Sequence, residues 1–162
     1  MKYLFSTSAA PKSVVYGRTL SMEMSHSEKP EIDLTTGGNE RILLVDDEQD
    51  ILEIETAMLQ ALGYAVTATN NPLNALEIFA KQPGQFDLVI TDMTMPIMNG
   101  DKLVVELYKI LPNISTILCT GYSALMSKEK AVSLGVAEFL IKPISIVDLS
   151  NTIRSVLDKK TS

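Results

Sequence analysis

The stretch Phe86-Asp87-Leu88-Val89-Ile90-Thr91-Asp92-Met93-Thr94-Met95-Pro96-Ile97-Met98-Asn99-Gly100 decides how the rest of the chain is read. Leu88 to Ile90 is a short apolar run between turn residues, the pattern of a buried strand, and it delivers Asp92 to the strand's carboxyl end. Met95-Pro96 resists helix and Asn99-Gly100 tolerates positive φ, so the aspartate opens a loop before an apolar-periodic segment begins at Leu103. In open α/β sheets, ligands bind outside the carboxyl ends of the strands. Asp92 is therefore the candidate reactive residue.

The same alternation extends in both directions. Upstream, Ile42-Leu43-Leu44-Val45 is a continuous apolar strand ending in Asp46-Asp47-Glu48. Asp50 is placed to cap a helix whose inward face is Ile51, Ile54, Met58 and Leu62, closing at Gly63. Tyr64 to Ala68 reads as a second strand. Asn71-Pro72 then starts a second helix, carrying Leu73, Leu76 and Phe79 inward as far as Pro83-Gly84. Downstream, a helix from about Asp101 to Leu111 is stopped by Pro112, and Ser115 to Cys119 is a strand ending at Thr120-Gly121. Ser123 opens a helix to Leu134 before Gly135. Val136 to Ile141 forms a fifth strand ending at Lys142-Pro143, and a last helix from about Ser145 turns Ile146, Leu149, Ile153 and Val156 inward. Five βα units in strict alternation call for a doubly wound α/β domain with a five-stranded parallel sheet and helices on both faces.

The domain is expected over residues 40–160, with Met1 to Asn39 a flexible tail or linker rich in Ser, Thr, Gly and charge. Within that tail, Met24-Ser25-His26-Ser27-Glu28-Lys29-Pro30 is only weakly similar to a histidine-kinase phosphoacceptor box, and Pro30 follows too soon for a long helix. A net charge of −6, without clustered Lys and Arg, argues against a nucleic-acid partner. The single cysteine, Cys119, excludes an internal disulfide and suits a reducing cytoplasm. No run of about 18 apolar residues exists, so no membrane segment is expected.

The strand ends present Asp46, Asp47 and Glu48, then Asp92, Thr120 and Lys142. Carboxylates so close repel by about 4 kcal/mol per pair 4 Å apart, so a cation belongs among them. An all-oxygen set suits Mg²⁺, with Asp46, Asp47, Asp92 and the backbone carbonyl of Thr94 as candidate ligands. A carboxylate nucleophile beside Mg²⁺, the Lys142 ammonium and the Thr120 hydroxyl is equipped for phosphoryl transfer onto Asp92. The methionines Met93, Met95 and Met98 are expected to pack, and Cys119 to be a buried small apolar residue.

In these residues the chain resembles a response-regulator receiver domain of bacterial two-component signalling. Val45-Asp46-Asp47-Glu48 is similar to the family's acidic pair, and Asp92-Met93-Thr94-Met95-Pro96-Ile97-Met98-Asn99-Gly100 to its phosphoacceptor loop. Thr120-Gly121 resembles its switch hydroxyl and small neighbour, and Phe139-Leu140-Ile141-Lys142-Pro143 its switch aromatic and lysine. The resemblance implies a flavodoxin-like sheet of order 2-1-3-4-5 and phosphorylation of Asp92 by a histidine kinase or histidine phosphotransfer protein. It further implies Mg²⁺ on Asp46 and Asp47, Lys142 on the phosphoryl group, and a cis Lys142-Pro143 bond. Thr120 and Phe139 would move together, switching a surface of the fourth helix, fifth strand and fifth helix through which a homodimer can form. Thr94 and Tyr122 would tune hydrolysis of the acyl phosphate. Such a domain is not a conventional enzyme, since it catalyses only its own phosphorylation and dephosphorylation. It occurs free-standing or at the end of a hybrid histidine kinase.

Two other readings fit less well. A nucleotide or flavin enzyme of this fold lacks its glycine-rich loop here, and a phosphorylation-independent interaction module would not need the complete acidic set.

Overall fold

The computed structural model describes residues 37–121 and 133–161. His26 and its neighbours, Tyr122, and most of the helix expected from Ser123 to Leu134 lie outside the described residues.

Strands β1 (Arg41–Val45), β2 (Ala65–Thr69), β3 (Leu88–Asp92), β4 (Ser115–Thr120) and β5 (Glu138–Ile141) alternate with helices α1 (Gln49–Ala61), α2 (Pro72–Lys81), α3 (Gly100–Ile110) and a C-terminal helix (Ile146–Thr161). All neighbouring strands are parallel, in the order β2-β1-β3-β4-β5 expected from the sequence. Successive residues of a strand face opposite sides of the sheet. Ile42, Leu44, Leu88, Ile90, Ile117, Cys119 and Leu140 thus pack on one face with Leu52 and Leu59 of α1, Leu62 at its C-cap, and Leu149, Ile153 and Val156 of the C-terminal helix. Leu43, Val45 and Val89 pack on the other, with Ala75 and Phe79 of α2 and Leu103 and Leu107 of α3. Phe79 stacks on Phe86 with ring centroids 6.0 Å apart.

Helix α2 begins as its sequence demands: the Asn71 side chain accepts from the N–H groups of Leu73 and Asn74, and Pro72 fills the first helical position. Leu73, however, is exposed, and Ala75 takes the inward position. Helix α1 departs further. Its N-cap is Glu48, without a side-chain cap bond, and Asp50 lies in the first turn, where a carboxylate suits the helix dipole. Its buried face is Leu52, Glu55 and Leu59, continued by Leu62; of the expected Ile51, Ile54, Met58 and Leu62, Leu62 is in the core and Met58 packs against it, whereas Ile54 is 53% exposed. The reason is that the sheet receives the 52-55-59-62 stripe, which the apolar periodicity concealed because Glu55 interrupts it. Gly63, at φ +94, ends the helix in the left-handed region.

Two links set the lower edge of the sheet. The Arg41 guanidinium donates to both Asp87 carboxylate oxygens, joining the starts of β1 and β3. Arg154 of the C-terminal helix pairs with Glu40 and lies over the Tyr64 ring, 5.8 Å from its centroid. The N–H of Gly38 donates to the Leu62 carbonyl, so the residues just ahead of β1 rest on the end of α1.

Candidate functional site

Strand parity assembles the site. Asp92 follows Leu88 and Ile90 onto the α1 face of the sheet. Asp46 follows Ile42 and Leu44, and Lys142 follows Leu140, to the same side. Ladder hydrogen bonds continue past the strands and hold the three ends in register: Asp46 N–H to the Thr69 carbonyl, Met93 N–H to Cys119, and Lys142 N–H to Thr120.

At their meeting point the Lys142 ammonium joins two buried carboxylates. It pairs with Asp46 Oδ2 and with Asp92 Oδ1, the latter at 2.8 Å. The remaining carboxylate oxygens accept from backbone N–H groups two residues on: Glu48 to Asp46 Oδ1 at 2.8 Å and Thr94 to Asp92 Oδ2 at 2.7 Å. These local turns aim both aspartates at the lysine. Burial works against the charged lysine, but hydrogen bonds and attraction from Asp46 and Asp92 outweigh it and hold Lys142 above the ordinary lysine range. The Lys142-Pro143 peptide is cis.

Gly100 positions the acidic strand end by a different means from the one its sequence suggested. The backbone has no positive φ there or at Asn99; a Cβ on Gly100 would sit 2.1 Å from the Asp92 carbonyl oxygen, so glycine is required by close approach. The positive φ falls instead on Ile97, at +72, where the Met98 N–H donates to the Pro96 carbonyl in a γ-turn. Ile97 is 76% exposed, so tertiary packing of its side chain does not impose that geometry. Met93 and Met95 are buried in packing roles, as is Cys119.

The other expected site residues are placed as follows. Asp47 is half-buried and forms no hydrogen bond or ion pair among the described residues. Among those residues no group of three or more carboxylate, imidazole or thiol side chains is gathered, and of the expected Asp46, Asp47 and Asp92 it is Asp46 and Asp92 that meet, on Lys142. Alternation at the strand end separates Asp47 from Asp46. The Thr120 hydroxyl donates to the Gly121 carbonyl, and Phe139 packs half-buried beside Met93, Val104, Leu118 and Val136. Thr120 and Phe139 share the parity of Leu118 on the sheet, the side opposite α1. The donor set nonetheless fits Mg²⁺, a hard cation that takes one or two carboxylates and keeps several waters: Asp46 and Asp92 meet here, and among the described residues each of their carboxylate oxygens has a single partner.

One residue of the site escaped sequence reasoning. Glu55, on α1, is 6% exposed and lies behind Lys142, and burial pushes its carboxyl up to about 7, against the pull of Lys142 and with the push of Asp46 and Asp92. A polar residue three positions from Leu52 and four from Leu59 was the available signal.

The chain belongs to the response regulator receiver domain family, whose model matches residues 42–154. It is 38% identical over 119 residues to a two-component response regulator of Arabidopsis thaliana, covering 74% of this chain and 21% of that protein. It is 33% identical over 123 residues to a sensor kinase of Brucella abortus, covering 76% and 13%. Among solved structures, a receiver domain protein from Clostridium thermocellum superposes with a TM-score of 0.72 at 34% identity, over 75% of this chain and 97% of that one. The chain spans about a fifth or less of the length of these curated relatives. It is thus a CheY-like receiver of two-component signalling, a class that works as a phosphoacceptor, generally binds Mg²⁺ and interacts with histidine kinases or phosphotransfer proteins. Among the described residues no helix is long and apolar enough to cross a membrane.

Proposed function

We propose that Asp92 accepts a phosphoryl group from the phosphohistidine of a histidine kinase or histidine phosphotransfer protein, in a Mg²⁺-dependent reaction that residues 40–160 carry out as one cytoplasmic receiver unit. The observation that carries this reading is the Lys142 ammonium set between two buried carboxylates, Asp46 and Asp92, at the carboxyl ends of β1 and β3. An Asp92 oxygen attacks phosphorus as the phosphorus–nitrogen bond breaks; the imidazole nitrogen keeps the electron pair and takes up a proton. Asp46 and Asp92, already together, would hold Mg²⁺, with Asp47 and the Thr94 carbonyl turning in to complete the protein's share, and the ion would supply positive charge to the phosphoryl oxygens when bound.

Lys142 meets one phosphoryl oxygen, and the Thr120 hydroxyl, now given to its own neighbour's carbonyl, turns to another. Movement of Thr120 makes room for Phe139 to follow, changing the face of the fourth helix, β5 and the C-terminal helix where a second copy or a downstream partner docks. Thr94, exposed beside Asp92, and Tyr122 set how readily water reaches the acyl phosphate. The chain's own chemistry is then limited to gaining and losing this group.

The test is incubation with acetyl phosphate and Mg²⁺ followed by intact mass. One added phosphoryl group in the wild type and none in Asp92→Asn is the expected result. An adduct that survives in Asp92→Asn removes Asp92 from this role.

A further inference from the structure

Lys142 has two anionic environments within reach, and only one is in use. On one side are Asp46 and Asp92. On the other is a cavity of about 430 Å³ between α1 and the segment after β5, walled by Ile51, Met58 and Ile144 and shared by Glu55 and Lys142. Glu55 is 6% exposed, and among the described residues it has no hydrogen bond or ion pair. A carboxyl without a partner in a largely apolar wall is costly, and an arriving counter-charge lowers that cost.

We propose that Glu55 is a positioning residue that receives the Lys142 ammonium when a divalent cation takes its place at Asp46 and Asp92. The proposal rests on the phosphoacceptor reading above. A cation seated on those two carboxylates is adjacent to the ammonium that now bridges them, and like charges at that distance drive Lys142 out. A lysine's four-carbon stem allows the head group to swing while its backbone stays tied to Thr120. Lys142 is paired with Asp46 and Asp92, and the Glu55 carboxyl feels Lys142, Asp46 and Asp92, so these four groups take part in the exchange. After burial, Lys142 is the strongest influence on the Glu55 carboxyl, which agrees with an ammonium close enough to be captured.

The experiment is a Mg²⁺ titration followed by backbone amide resonances of residues 46–48 and 92–94. It uses the wild type, Glu55→Gln, Lys142→Ala and the double variant, with the amide spectra reporting that each is folded. Glu55→Gln, nearly the same shape without the charge, is expected to weaken Mg²⁺ binding roughly tenfold while Lys142 is present, and by less than about twofold in the Lys142→Ala background. Lys142→Ala alone is expected to tighten binding. A loss on Glu55→Gln of equal size in both backgrounds overturns the proposal, because Glu55 would then attract the metal directly. So does unchanged affinity in Glu55→Gln, which leaves the phosphoacceptor reading standing. Absence of Mg²⁺-dependent shifts in the wild type overturns both.

Discussion

Glu55→Gln should reshape the pH dependence of stability, and the size of the effect follows from where the carboxyl sits. An ordinary glutamate releases its proton near 4.5, whereas burial holds that of Glu55 until about 7. Below 4.5 the group is neutral in both folded and unfolded chains and costs nothing. Between these two values the unfolded chain has released the proton and the folded chain still holds it, so stability falls as pH rises. Above 7 both are ionised, and the folded state carries the whole cost of a buried charge, on the order of 3 kcal/mol. That is a large part of the roughly 5–15 kcal/mol that keeps a domain folded.

Gln keeps the shape and never ionises. The stability of the wild type relative to Glu55→Gln should therefore drop by about 3 kcal/mol between pH 4.5 and pH 8, a shift of about 2 M in urea midpoint for a denaturant slope near 1.5 kcal/mol/M. Urea unfolding followed by circular dichroism at several pH values measures it, and the difference between the two proteins cancels the titration of every other carboxylate. Parallel midpoint curves would show that Glu55 is solvated or already paired, and would refute the assignment of a buried, unpartnered charge.

Three further outcomes follow from single contacts. Gly100→Ala would force a methyl group onto the Asp92 carbonyl and should cost about 3 kcal/mol or more in urea unfolding, with the resonances of Asp92 and Thr94 displaced. Ile97→Asn should stabilise by about 1 kcal/mol, because Asn tolerates the left-handed region that a β-branched residue resists and the exposed Ile97 side chain gives up little packing. Lys142→Ala, in the absence of divalent cation, leaves Asp46 and Asp92 buried without a counter-charge and should cost about 3–5 kcal/mol at pH 7. Urea unfolding measures it, and unchanged stability in Lys142→Ala would contradict the pairing.

What the sequence determined by itself was the alternation of elements and the identity of the strand-end residues. Runs such as Leu43-Leu44-Val45 and Leu88-Val89-Ile90 are buried strands wherever they lie, Asn71-Pro72 starts a helix by local bonding alone, and Asp46, Asp92, Thr120 and Lys142 stand at the carboxyl ends because the apolar runs stop there. What only the tertiary structure decided was which of those residues meet. Parity across a parallel sheet sends Asp46, Asp92 and Lys142 to the α1 face and Thr120 and Phe139 to the other, a relation between strands that no single strand contains. The rotation of α1 was equally nonlocal. Its apolar residues permit two adjoining faces, and contact with the sheet selected the one that carries Glu55 inward, against the hydrophobic pattern, to the far side of the lysine. The strain at Ile97 and the requirement for glycine at position 100 arise in the same way, from the path the backbone must take to close around Asp92.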